Sequence, residues 1–333
     1  MDFLYNNFLS DFFSICMNGL NSLFADYALC IVVLTILIRL CLLPLDLKMR
    51  SNSAKMSALG PEIQSIQKRY ANNPQIVQKK QQELYRKMNV KPMFGCLPSL
   101  IQLPILFAFF GAMRVLQSQQ TVALMLDAAQ YGASTVQLPE FFWVHNFWQP
   151  DNGMSNILPN STEFLSFIQQ NSLYITPQTM SLLQTHGLLD FSTGVMTVPD
   201  ATYTALTTQI LQSNGFINAA GEVTNYNGYF ILPALAGVAL FLQQKFNPAS
   251  MNGGMGMNAM NPAGGGSEQA EAAGCSSKMM LWIFPIFSIW ICATSNTAFA
   301  LYWFISSLYA FAQMKLVDVI KKARAKKKEV SVV

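Results

Sequence analysis

Residues Tyr27–Arg50 read YALCIVVLTILIRLCLLPLDLKMR, and from Ala28 to Leu45 the only charged side chain is Arg39. As a helix this run is roughly 27 Å long, about the thickness of a bilayer's hydrocarbon core. It reads as a membrane span, with Pro44 and Asp46 marking its inner end. The composition of the rest agrees. The chain has 333 residues, 52% hydrophobic and only 11% charged. Soluble domains carry roughly 25% charged residues, so this chain lacks the charge to cover a soluble surface. It is also far too apolar to be disordered. The apolar residues come in blocks, which predicts an all-α polytopic membrane protein, a five-span helical bundle.

The blocks set the organisation. An interfacial amphipathic helix is expected within 1–24, with Asn7, Asp11, Ser14, Asn18 and Asn21 on one face and Leu4, Phe8, Phe12, Ile15 and Cys16 on another. No basic residue precedes it, so it does not look like a cleavable signal. Span 1 takes 25–46, a cytoplasmic helical hairpin 47–92, and span 2 93–114. An extracytoplasmic segment follows at 115–226, then span 3 at 227–246 and a flexible Gly/Met-rich cytoplasmic loop at 247–278. Spans 4 and 5 occupy 279–294 and 298–316, and a basic cytoplasmic tail takes 317–333. In the hairpin, Met56, Leu59, Ile63, Ile66 and Tyr70 form a short seam that packs against a second helix carrying Val77, Leu84 and Met88. Asn72-Asn73-Pro74 breaks the two apart.

Charge is strongly segregated. Residues 46–92 hold ten basic and three acidic side chains, and the tail from Lys315 holds seven and two. Between Val115 and Tyr226 there is no Lys or Arg, against seven acidic residues. Basic loops collect on the cytoplasmic side, which predicts an N-terminus outside and a C-terminus inside. The six cysteines form no Cys-x-x-Cys pair and read as idle or buried thiols. With only His145 and His186, no metal site is expected.

Arg39 carries the functional reading. It stands about eleven residues into an apolar helix, roughly 16 Å deep by helical rise, where an arginine costs on the order of 2.5–3.5 kcal/mol. No Asp or Glu lies deep in any other span, so the guanidinium has no obvious carboxylate partner and must face water, carbonyls or an anionic ligand. The alternative is that it snorkels to the inner headgroups. Thr35 shares its face one turn earlier. Gln102, Gln243, Gln244, Ser306 and Ser307 also interrupt apolar runs. Each alone reads as helix–helix glue; together they suit a wet groove.

Taken as strings, YALCIVVLTILIRLCLLPLDLKMR (Tyr27–Arg50), LGPE (Leu59–Glu62), GCLPSLIQLP (Gly95–Pro104), YFILPALAGVALFLQQK (Tyr229–Lys245) and ALYW (Ala300–Trp303) strongly resemble the YidC insertase family of the YidC/Oxa/Alb superfamily. The likeness covers roughly 20–150 and 226–318. It resembles the short type, lacking the large outer domain of Gram-negative members. It implies a non-enzymatic membrane insertase and chaperone of the bacterial cell membrane. Such a protein places newly made membrane proteins into the lipid bilayer, alone or beside the Sec translocon, with ribosome contact. No cofactor and no direct DNA binding are implied. By this resemblance Arg39 is the groove arginine that attracts acidic substrate tails, with Thr35 beside it. Gln243 or Gln244, Tyr302 and Trp303 fall at groove or substrate-contact positions. The chain departs from the family pattern in the last hairpin, Ser295-Asn296-Thr297-Ala298, and in an insert near 155–224. In the insert LQTHGLL (Leu183–Leu189) is echoed by LQSNGFI (Leu211–Ile217), each a helix with a Gly stop, and Asp200 is a candidate helix cap. It is expected to be a separate module, dispensable for insertion.

Two other readings compete with this one. A transporter or channel for an anionic solute would also use Arg39, but predicts inverted repeats that the sequence does not show. An intramembrane hydrolase needs a nucleophile with an activating base, and no His or acid lies deep in any span.

Overall fold

The computed structural model describes residues 8–90, 97–192, 194–218, 221–223, 226–246 and 267–330, in a few places by backbone alone. Most of them are helical. The helices are α1 (Phe8–Phe24), α2 (Tyr27–Ala58), α3 (Gly60–Arg69), α4 (Pro74–Lys87), α5 (Leu97–Tyr131), α6 (Ser161–Gln170), α7 (Pro177–Thr185), α8 (Asp200–Ser213), α9 (Ile231–Lys245), α10 (Ser267–Thr294) and α11 (Thr297–Val330). Among the described residues β pairing is confined to three isolated bridges. In that same set, two helices, α2 and α5, are long and apolar enough to cross a bilayer, while Ile231–Lys245 and Leu281–Thr294 are shorter apolar helices.

The chain divides into two compact units. The first holds Met1–Val32, Leu106–Leu235 and Trp290–Trp303; the second holds Val33–Ile105, Ala236–Ile289 and Phe304–Val333.

Local chemistry explains several helix ends. Asp26 starts α2, its Oδ1 accepting from the Ala28 and Leu29 amides at 2.8 and 3.2 Å. Asn73 caps α4, accepting from the Ile76 amide, with Pro74 at its first position. Asn160 and Glu163 form a reciprocal capping box at α6. Asn296 caps α11 through the Phe299 amide at 2.9 Å. The echoed strings of the insert both end in a Schellman turn. Gly187 and Gly215 sit at φ +72° and +80°, and the next amides, Leu188 and Phe216, bond back to the Leu183 and Leu211 carbonyls. Asp200 is not a cap: it is the first residue of α8, and its carboxylate accepts from the Ser161 hydroxyl at 2.6 Å.

In the first unit α5 runs to Tyr131, far beyond residue 114, where the sequence places the end of span 2. The polar run after Met113 does not break the helix because its side chains are paired. Gln117 donates to the Trp148 carbonyl (2.6 Å), Ser118 to the Phe167 carbonyl (3.0 Å) and Gln120 to the Tyr27 hydroxyl (2.9 Å). The last turns of α5 then present Val122, Met125 and Ala128, which are buried in one core with Phe164, Ile168, Leu183, Leu188, Tyr203 and Ile210. The insert is therefore not a separate module. Its core is completed by α5, and it also holds α1, whose Asp11 accepts from the Tyr174 hydroxyl. Burial and that carboxylate push the Tyr174 phenol up to about 12, so it stays a donor at neutral pH. Replacing residues 155–224 by a short Gly/Ser linker should expose Val122 and Met125, at roughly 1.5–3 kcal/mol for each large apolar side chain. A lowered thermal midpoint in detergent checks this; an unchanged midpoint contradicts the shared core.

Helix α1 turns Phe13 and Met17 inward, Phe13 packing on Phe109 at 5.1 Å. Phe8, Phe12 and Ile15 stay exposed. That exposed apolar stripe is the face the sequence assigns to lipid.

In the second unit the hairpin closes on Met56, Leu59, Ile63, Tyr85 and Val90, with Leu84 against them. Tyr85 takes the place expected for Met88, which is exposed. The reason is the left-handed turn at Asn89, φ +51°, after which the Val90 amide bonds back to the Tyr85 carbonyl and folds Val90 over the seam. Helix α2 passes through Pro44 to Ala58 rather than stopping near Asp46. Helix α10 begins at Ser267, inside the stretch expected to be loop; Glu268-Gln269-Ala270-Glu271-Ala272-Ala273 is composed of strong helix formers. The Gly/Met-rich residues 247–266, like Cys96 before α5, lie outside the described residues. Gly237 lets α9 and α10 approach closely: a Cβ there would lie 2.3 Å from Ile289 Cγ1.

Candidate functional site

Arg39 is half-buried on α2 and donates from both Nε and Nη2 to the Ser306 hydroxyl of α11, the first at 3.1 Å. Thr35, one turn earlier, is 1% exposed, and its hydroxyl finds no hydrogen-bond partner among the described residues. Two further residues share this seam. Asp46 lies within electrostatic range of both Arg39 and Arg50, with Gln313 beside it. Arg50 reaches the Ala310 carbonyl at 3.4 Å and feels Asp318. Positions 35, 39, 46 and 50 on α2, and 306, 310 and 313 on α11, are spaced by three, four or seven residues and so share one face of each helix. The result is a polar seam between two otherwise apolar helices, with Ser306, Ser307 and Gln313 all buried.

As the sequence leads one to expect, no ion pair joins Arg39 to a carboxylate among the described residues; the hydrogen bonds of the guanidinium end on a neutral hydroxyl. Asp46, two turns on along the same helix, adds to the field at Arg39, and that spacing of seven residues is legible in the sequence.

The remaining candidates fall in different places. Gln102, Gln243 and Gln244 belong to the second unit and are half-buried. Tyr302 and Trp303 belong to the first. Tyr302 is 2% exposed, its ring stacked on Phe109 at 3.9 Å, and Trp303 packs edge-on to Phe299 at 5.6 Å. In this arrangement Tyr302 is a core aromatic.

A second polar cluster, missed by sequence reading, organises the first unit. Asp151 is fully buried. Its Oδ1 accepts from the Tyr229 and Phe230 amides at 2.9 and 3.1 Å; its Oδ2 accepts from the Leu232 amide at 2.7 Å and from Trp143 Nε1 at 3.0 Å. It satisfies the otherwise orphaned amides at the start of α9, where a negative charge also suits the helix dipole. The approach requires Gly228, at φ +102°, since a Cβ there would fall 2.2 Å from Asp151 Oδ1. Asn227 braces the same loop through Asn146 and the Pro150 carbonyl. Gln149 and Asn152 tie the last hairpin, the Gln149 carbonyl accepting from Thr297 Oγ1 at 2.7 Å and Asn152 donating to the Ala293 carbonyl at 2.7 Å.

The sequence profile of the 60Kd inner membrane protein family matches residues 19–199 and 195–325, nearly the whole chain. The chain belongs to that family, the YidC/Oxa1 family. It is accordingly a polytopic, all-α protein of a bacterial cell membrane. Among relatives, the membrane protein insertase YidC of Clostridium perfringens is 39% identical over 158 residues, 47% of this chain and 57% of the relative. That of Fusobacterium nucleatum is 42% identical over 114 residues, 34% and 55% respectively. That of Clostridium tetani is 33% identical over 170 residues, 50% and 69%. The chain thus spans little more than half the length of the first two relatives. The family match runs across the α5–α8 region as well as the spans, and the residues of the polar seam fall within it.

Proposed function

We propose that this chain is a non-enzymatic membrane protein insertase and chaperone. It receives newly made membrane proteins in a hydrophilic groove of a five-span bundle, works alone or beside the Sec translocon, and releases them into lipid. The observation that carries this reading is the half-buried Arg39 guanidinium, whose hydrogen bonds end on Ser306 instead of a carboxylate. A positive charge held that way attracts an acidic segment of a passing chain without being consumed by an ion pair. The relatives named as insertases support it. Thr35 and Gln102, with Gln243 and Gln244, are read as groove-lining neighbours. The basic hairpin and tail are read as contacts to the ribosome or to anionic lipid.

The test is reconstitution of the full chain into liposomes with a single-span, Sec-independent test protein bearing an acidic N-terminal tail. Protease protection of the tail, without nucleotide or metal, is the expected result. Flux of a small anion without tail protection would replace this reading by that of a solute transporter.

The charge segregation supports an N-terminus outside and a C-terminus in the cytoplasm. In a version whose other cysteines are replaced, Cys275 should react with a membrane-impermeant thiol reagent only from the cytoplasmic face. A cysteine introduced at Ser192 should react only from outside. Labelling of both from one face overturns the topology.

A further inference from the structure

We propose that Phe142 and Trp143, together with Tyr229 and Phe230, form an aromatic anchor seated at the headgroup–acyl boundary of the lipid bilayer. Phe142 and Trp143 are the two central residues of a tight turn closed by paired hydrogen bonds between Phe141 and Val144, both 2.8 Å. Such a tip ordinarily carries Gly or Asn, because it needs a positive φ. Here Phe142 takes that conformation, φ +50°, and is 85% exposed. Phe230 is the second aromatic held at positive φ, +66°, and it too is exposed, as is Tyr229. Two large apolar rings are thus kept outward on strained backbone, where folding alone would favour a small polar residue.

One carboxylate fixes the group. Asp151 accepts from Trp143 Nε1 and from the amides of Tyr229 and Phe230. The indole's polar edge is therefore satisfied by the protein, and Phe142 stacks beside it at 6.0 Å. The patch continues into Ile231 and Leu235, exposed one turn apart on the apolar helix α9. In a membrane protein, that helix face is a lipid-facing stripe. Tyr and Trp concentrate where such a stripe meets the headgroups, and in this group the exposed Tyr229 supplies the ring with a free polar edge.

Lipid is the occupant that the charges favour. Val115–Gln244, which includes every residue of the patch, contains no Lys or Arg, so its own chain segment offers no cation to an acidic partner or to anionic headgroups. Its hold is apolar and independent of salt. This inference does not rest on the insertase reading, since it concerns only how a membrane protein of this family meets its bilayer.

The experiment places p-benzoylphenylalanine at position 142 of the full chain, reconstituted in phosphatidylcholine vesicles, with the same label at Leu235 and at Ser192 as lipid-facing and water-facing references. After irradiation, a phospholipid adduct is expected at 142 and 235, severalfold above that at 192, and unchanged between low and high salt. Absence of the adduct at 142 while 235 yields one overturns the proposal. So does a crosslinked dimer of the chain in its place, or an adduct lost at high salt.

Discussion

On the proposed insertase reading, Arg39→Ala should slow insertion of test proteins with acidic N-terminal tails by on the order of 10- to 100-fold, and Arg39→Lys should retain most of the rate. A unit positive charge about 5 Å from a carboxylate at an effective dielectric near 20 is worth roughly 3 kcal/mol, enough for the upper end of that range. Lysine keeps the charge and can still donate to Ser306, but loses the second hydrogen bond that guanidinium makes. Test proteins with neutral tails should respond much less. Because Asp46 shares the field of Arg39, Asp46→Asn should shift the rate in the opposite direction. The measurement is the initial rate of tail protection at equal protein abundance in the membrane. Wild-type rates for Arg39→Ala with an acidic tail rule out charge attraction as the driving contact.

The second large effect is expected at Asp151. Four donors converge on this buried carboxylate. Asp151→Ala strands three backbone amides and an indole N–H, and leaves a cavity. Removing one partner from a buried charged cluster costs on the order of 3–5 kcal/mol. Asp151→Asn preserves shape but points a donor at donors, and should recover only part of the loss. Both variants should unfold the first unit at lower temperature, read as proteolysis between Tyr131 and Asn227 in detergent. An unchanged melting profile for Asp151→Ala contradicts the clamp. Gly228→Ala is the independent check, since its Cβ would displace the same carboxylate.

What could be read from the sequence has a common character: the information lies within one turn or one helix. The apolar run with Arg39, the Asn73-Pro74 break, the glycine stops at Gly187 and Gly215, and the segregation of Lys and Arg all depend on neighbours in the chain. The fold class and the family strings follow from them. The Arg39–Asp46 proximity belongs to the same kind, a spacing of seven residues on one helix, and was there to be read.

What only the tertiary structure decided depends on partners far away in sequence. Helix α5 continues through Gln117, Ser118 and Gln120 because Trp148, Phe167 and Tyr27 supply their hydrogen bonds; in isolation that run looks like the end of a span. The insert packs on Val122, Met125 and Ala128 because the extended α5 has an apolar stripe left to bury. Asp151 looked like one acidic residue of a Lys/Arg-free loop, and its partners stand up to 81 positions away. Ser306 meets Arg39 across 267. A polar side chain in an apolar run shows that a partner is needed, since leaving it unpaired in low dielectric is costly; which group answers is set by how the helices pack.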